Sequence, residues 1–455
     1  MWPKYLAMIV LPMAAALSLA HFAGRSEPTA TSVTAAESLS NEALAHLATT
    51  DLAHFLLQLL VVLVAAKTAG WLLRRFGQPA VVGEMAAGLL LGPLLLGSLM
   101  PGLQGWLFAP DSLGALGLIS QLGVLMFLFV AGAELNLAGL RGRRGFTLLV
   151  SHTGIALPFL LGVVLAWGLY RQHAPAAVGF ASFALFMGIS LSITAFPVLL
   201  RILAERGLTT TSLGQIATAC AAVGDASAWC LLALIVSGVQ AQSWEAASVS
   251  LLAVLAFAAL VLGLLRPWIS RQIIAPKHQS RWLIALLLLA LACALVTEVL
   301  GIHALFGAFA AGVAVSGNAN LRGLLVQKVE PFAIALLLPL FFAMTGLRMR
   351  ADALQAADLW LCLLIIAVAT SGKLFGTWAA ARSVGMANLE AWKLGALMNT
   401  RGLMELIVLN LGYELGLIGD RLFAVLVIMA LVTTAMTGPL LGLLDRAAAR
   451  DPSHR

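Results

Sequence analysis

Residues 213–237 read LGQIATACAAVGDASAWCLLALIVS, an apolar run of membrane-spanning length with one charged side chain, Asp225, at its centre. Asp225 lies about twelve residues from either end, roughly 18 Å of helix from each edge. A carboxylate at that depth costs on the order of 3 kcal/mol even on forgiving insertion scales, and it marks an ion or proton path by default. The run contains no counter-charge, so any compensation must come from other helices.

The surrounding chain has the same character. Its 455 residues are 61% hydrophobic and only 10% charged, against about a quarter charged for a soluble protein of this size. The class is therefore a polytopic all-α membrane protein. Apolar runs of spanning length fall near 52–73, 80–99, 113–133, 145–168, 178–202, 213–237, 247–265, 282–300, 303–318, 331–347, 357–381, 389–413 and 421–443, which gives thirteen candidate helices. Four cysteines, Cys220, Cys230, Cys293 and Cys362, all lie in apolar runs without metal-ligand spacing. No resident cofactor is indicated.

The net charge of +7 is topological. Alternate loops carry eighteen basic residues: Arg74, Arg75, Arg141, Arg143, Arg144, Arg201, Arg206, Arg266, Arg271, Lys277, Arg281, Arg322, Lys328, Arg382, Lys393, Arg446, Arg450 and Arg455. The opposite side holds Arg25, Arg171, Arg348, Arg350 and Arg421. The positive-inside rule makes the first set cytoplasmic, with the C-terminus inside, and nucleic acid is not implied. Residues 1–23 read as a secretory signal or as an uncleaved extra helix. Residues 24–51 read as an external polar linker, 52–445 as the membrane domain and 446–455 as a cytoplasmic tail. The last segment is too short for a soluble domain, so function is expected within the membrane block.

Two runs break the helical pattern. One contains Ser192-Ile193-Thr194-Ala195-Phe196-Pro197, where proline removes a backbone donor. The other contains Asn399-Thr400-Arg401-Gly402. They are the middle members of two triplets of runs offset by seven, an odd number, so the triplets run in opposite directions. Paired interruptions in inverted halves point to a secondary-transporter site. Unwound backbone at that depth is tolerable only inside protein or beside a cavity. The expected ion-carrying core is thus 145–237 with 357–443, and Pro197, Gly402 and Gly224 are its helix-breaking residues.

Asp225 is the expected proton and cation ligand, with the hydroxyls of Thr194 and Ser192 as co-ligands. Lys373, Arg401, Glu405, Asn399 and Thr400 are expected to stabilise the site, their charges offsetting one another across the two triplets. A carboxyl group withdrawn from water can exchange protons near neutral pH, and when ionised it is a hard oxygen ligand for a small monovalent cation. Proton and cation then compete for the same oxygens, which makes exchange obligatory. Lys67 reads as a snorkelling side chain, Glu84 as a positioning residue, Glu298 and His303 as a polar turn, and Glu134 as solvated.

Several stretches resemble the monovalent cation:proton antiporter-2 family: 77–84 (GQPAVVGE), 87–93 (AGLLLGP), 129–135 (FVAGAEL), 192–199 (SITAFPVL), 301–304 (GIHA), 399–406 (NTRGLMEL) and 436–440 (MTGPL). They cover about residues 52–445. The resemblance implies a sodium/proton antiporter-like fold and a homodimer in a bacterial inner (plasma) membrane. One domain would carry the site up and down past a fixed dimerisation domain, exchanging Na+ or K+ for protons. It also implies an adjacent pair of acidic or amide residues on the sixth span, whose second member Asp225 matches, and a facing basic residue, which Lys373 matches. Gly224 departs from that pair. A transport-deficient sensor or regulatory protein is accordingly the alternative reading. An intramembrane aspartyl protease would need two carboxylates sharing a proton, and no second aspartate lies at depth, so the chain reads as a non-enzyme.

Overall fold

The computed structural model describes residues 51–134, 144–240, 252–253, 255–272, 278–300, 303–350 and 358–450. The expected signal or extra helix, and all of the linker except Asp51, lie outside these residues. The described residues are helical, with no strand among them. In lipid the backbone must satisfy its own polar groups, and a helix does so within one segment. The principal helices are α1 (Asp51–Arg75), α2 (Ala80–Leu91), α3 (Leu113–Glu134), α4 (Arg144–His173), α5 (Phe180–Ser192), α6 (Phe196–Glu205), α7 (Ser212–Gln240) and α8 (Gln279–Val299). They continue with α9 (Ala304–Val315), α10 (Ala319–Lys328), α11 (Leu338–Leu347), α12 (Asp358–Ser383), α13 (Asn388–Met398), α14 (Leu403–Glu414) and α15 (Asp420–Arg450).

Among the described residues, eight helical stretches of 21 to 34 residues are long and apolar enough to cross a membrane. Two of them are Pro101–Glu134, which ends in α3, and Ala319–Leu347, which runs from α10 to α11. The other apolar runs fall on shorter or interrupted helices, including the pairs α5–α6 and α13–α14. Gly224 does not break its helix: α7 is continuous through it. One interior glycine costs only about 1 kcal/mol relative to alanine, too little to open a helix that is packed on several sides.

Two groups of helices pack internally. In one, α4 lies against α5 and α12, α7 against α4, α5 and α6, and α15 against α12, α13 and α14. In the other, α1 lies on α2, α2 on α11, and α3 on α9 and α11. Lipid tails are as apolar as leucine, so helices associate in lipid through close packing and small residues. The α2–α11 contact shows this sharply. A Cβ on Gly88 would sit 2.2 Å from Phe342 O, and one on Gly346 would sit 2.0 Å from Gly88 O.

Ion pairs tie one group to the other at opposite ends. Glu84 on α2, almost fully buried, meets Lys67 Nζ of α1 at 3.1 Å and Arg201 Nη1 of α6 at 3.6 Å. Lys67 therefore spends its charge on a buried carboxylate, where the sequence suggested an ammonium reaching for the interface. At the other end Arg348, just past α11, meets Glu414 Oε1 of α14 at 2.6 Å and donates to Asn410 Oδ1 at 2.9 Å. Glu298 and His303 form a cap: Ala304 N–H donates to Glu298 Oε2 at 2.7 Å, and His303, at φ 81°, opens α9.

Gly346→Val should lower stability by about 1–3 kcal/mol or prevent assembly, because the opposing group is backbone and cannot move aside. Gly114→Ala, which meets nothing within 4 Å, should change it by less than about 0.5 kcal/mol. Thermal unfolding of the two purified variants in detergent makes the comparison.

Candidate functional site

The site is built from two helix breaks that cross. The first begins after Ser192, where Ile193 and Ala195 are extended, and ends where α6 starts with Pro197 in its opening turn. A proline there wastes no hydrogen bond, since first-turn N–H groups lack intrahelical partners anyway. The second break runs from Asn399 to Gly402, whose φ of 150° is open to glycine and strained for other residues. At the crossing the Ala195 N–H donates to Thr400 O at 3.0 Å.

Every break leaves helix-end carbonyls and N–H groups to be satisfied. Arg401 takes up much of that burden. Its Nη1 donates to Ser190 O at 2.8 Å and to Glu405 Oε2 at 2.9 Å, and its Nη2 donates to Leu191 O. The guanidinium thus closes the C-terminal end of α5, where the helix dipole favours a cation, while Glu405 lies in the first turn of α14, where it favours an anion. Both side chains are fully buried. Arg401 thus holds Glu405 and free helix-end carbonyls at once.

Lys373 on α12 is also fully buried, and its Nζ donates to Thr194 Oγ1 at 2.8 Å. That hydroxyl in turn donates to Met398 O at 2.9 Å, closing the end of α13. Ser192 Oγ is committed to Gly188 O at 2.6 Å and Ile155 O at 3.2 Å. Asn399 Nδ2 reaches Thr433 O at 3.5 Å, and Thr400 Oγ1 lies 3.4 Å from Thr437 Oγ1.

Asp225 is 3% exposed, and its Oδ1 has no hydrogen-bond partner in the protein. Among the described residues no ion pair joins it to Lys373. It lies against a tight gap between atoms, too narrow to hold a water molecule, lined by Ile193, Ala228, Trp229, Leu232, Met404 and Val408. The lining follows α7 and α14 toward their C-terminal ends.

Sequence reasoning missed α15 as a partner of the second break. Thr434 Oγ1 accepts from Arg401 N–H at 3.1 Å and donates to Arg401 O at 2.7 Å. The signal was present: Thr433, Thr434 and Thr437 interrupt an otherwise apolar run.

Crossed, interrupted helices with ionisable groups buried at the crossing are the architecture of a secondary ion transporter. Residues 60–444 match the family model described as sodium/hydrogen exchanger, transmembrane, and the chain belongs to that family. It is 39% identical over 398 residues to the Na(+)/H(+) antiporter NhaS4 of Synechocystis sp., covering 86% of this chain and 97% of that one. To the cation/H(+) antiporter 18 of Arabidopsis thaliana it is 39% identical over 403 residues, 87% of this chain but 49% of the plant protein. The solved structure of the sodium proton antiporter MjNhaP1 from Methanocaldococcus jannaschii superimposes with a TM-score of 0.62 at 13% identity, over 88% of this chain and 100% of that chain. That likeness speaks to the fold.

Removing one partner of the Arg401–Glu405 pair leaves a buried charge uncompensated, so Arg401→Met should destabilise the protein by about 3–5 kcal/mol. Adding Glu405→Met to that variant should recover part of the loss. Detergent melts of the single and double variants provide the measurement.

Proposed function

We propose that this chain exchanges Na+ or K+ for protons by alternating access, with Asp225 as the shared site. The observation that carries the reading is a buried carboxylate whose side chain makes no hydrogen bond among the described residues, set beside the crossed breaks against a tight gap. Every other buried charge at the crossing has a partner: Arg401 has Glu405, and Lys373 has Thr194. A structural carboxylate would be expected to have one too. Asp225 is therefore free to hold a proton or, ionised, a dehydrated cation, and the two exclude each other.

Lys373 lowers the electrostatic cost of an ionised Asp225 without occupying its oxygens, and it fixes Thr194 at the crossing. Thr194 remains a candidate co-ligand through its backbone neighbourhood, and Ser192 through its place at the end of α5. Asn399 and Thr400 hold the second break to α15.

Movement follows from how the helix groups meet. The core, 145–237 with 357–443, would slide as one body against α1–α3 and α8–α11, the latter forming the dimerisation face of a homodimer. The Glu84–Arg201 and Arg348–Glu414 pairs bridge the two bodies at opposite ends. Such a slide must break and remake these pairs, so they define where each stroke stops. In this reading the chain has thirteen spans with inverted repeats, lies in a bacterial plasma membrane and keeps its C-terminus in the cytoplasm. A transport-deficient sensor is the second reading, and Gly224 is the observation that favours it.

Purified protein in liposomes with an internal pH dye should move protons when Na+ or K+ is added outside. Asp225→Asn should reduce that movement to the level of empty liposomes. Activity in the variant equal to the parent would remove Asp225 from the mechanism, and an inactive parent would favour the sensor.

Competition sets a second expectation. Because the cation needs the deprotonated carboxylate, its KM should rise by up to about tenfold per pH unit of acidification once protonation dominates. A KM independent of pH would mean that protons and cations use different sites.

A further inference from the structure

Gly224 stands beside the buried carboxylate, yet close packing does not require glycine there. Where this fold needs glycine for helix contact, an added Cβ would run into backbone, as at Gly88 and Gly346. At Gly224 the atoms nearest to an added Cβ are Ser151 Oγ at 3.1 Å and Ile155 Cδ1 at 3.8 Å, both from side chains of α4. The backbone is ordinary helix. Glycine here leaves a small space next to Asp225, and the near polar atom in it is a serine hydroxyl.

That hydroxyl is unusual. Ser151 is fully buried, and its Oγ has no hydrogen-bond partner in the protein. Hydroxyls inside helices commonly donate back to the carbonyl four residues earlier. Ser192, Thr218, Ser227, Thr345 and Thr433 all do so here. Thr377, one helical turn beyond Lys373 on α12, shares the condition of Ser151: it is buried and its Oγ1 is unpartnered. It also faces α4, 3.1 Å from where a Cβ on Gly154 would lie, and Gly154 is one turn from Ser151. An unsatisfied buried hydroxyl costs about 1–3 kcal/mol. Ser190 and Thr370 share the condition, but Ser151 is the one set against the residue next to Asp225 in the chain. Hydroxyl and carboxylate oxygens are the donors a hard cation takes.

We propose that Ser151 is a cation-binding residue of the Asp225 site and a determinant of its cation preference, its hydroxyl oxygen reaching the ion through the space that Gly224 leaves. The inference rests on Asp225 being the ion site. It assigns a chemical use to Gly224: a side chain at that position would displace the Ser151 hydroxyl and shrink the space, which disfavours the larger cation.

The test uses the full chain in liposomes, with Li+, Na+ and K+ as separate probes. Ser151→Ala should raise the KM for the preferred cation by about tenfold with little change in maximal rate, while Ser151→Thr, which keeps the hydroxyl, should restore it. Gly224→Ala should shift preference toward the smaller ions. A purely structural serine would lower thermal stability and maximal rate together and leave KM and selectivity unmoved.

If Ser151→Ala keeps every KM within twofold of the parent while Asp225→Asn abolishes exchange, Ser151 is not a ligand and the Asp225 reading survives. If Asp225→Asn exchanges normally, the Asp225 reading itself has failed. Should Ser151→Ala not assemble, Gly224→Ala probes the same contact from α7. Altered selectivity then supports the proposal, and unaltered selectivity overturns it.

Discussion

Lipid offers nothing to an unpaired carbonyl or N–H group, and this constraint governs the whole site. Breaking two helices at mid-depth exposes several such groups at once, and the protein must supply replacements from its own side chains. It does so with one guanidinium, two threonine hydroxyls and one backbone bond. Arg401 reaches Ser190 and Leu191, Thr194 reaches Met398, Thr434 serves both the N–H and the carbonyl of Arg401, and Ala195 meets Thr400. Each group at the crossing therefore answers to a helix end as well as to its neighbours.

Against that background the buried charges divide into two kinds. Arg401 and Glu405 neutralise each other and complement the dipoles of the helices they close, so they are embedded in structure. Lys373 is spent on Thr194. Glu405 keeps one oxygen free while the other holds Arg401, but the side chain of Asp225 makes no hydrogen bond among the described residues, and Ser151, Ser190, Thr370 and Thr377 keep unpartnered hydroxyls. A fold so thorough about satisfying the backbone leaves open the groups that chemistry requires.

Much of this was legible in the primary structure, and the reasons are specific. Asp225 stood out because a carboxylate is costly in an apolar run. Both breaks stood out because Pro197 and Gly402 fall among polar residues at mid-span. Pairing was harder to see. Lys373 meets Thr194 rather than Asp225, and Lys67 meets Glu84 rather than the interface, because contact depends on how each helix is rotated. A helix that is apolar on every side carries no stripe from which that rotation can be read. Ser151 was hidden for the same reason, since a single serine in an apolar run acquires meaning only when Gly224 is seen opposite it. Among the described residues eight long continuous spans stand against the thirteen apolar runs of the sequence, because composition records apolarity and not where a helix stops.

The grip of Arg401 on Ser190 and Leu191 has a consequence for biogenesis. These contacts span 211 and 210 residues of sequence, and that of Thr194 with Met398 spans 204. During synthesis α5 enters the bilayer with its last carbonyls bare and waits for the chain to lengthen by almost half of its total before they are met. The insertion machinery, or water held beside the nascent chain, must shelter that half-made end. A ribosome halted short of residue 401 leaves behind a membrane block whose first break has never been closed.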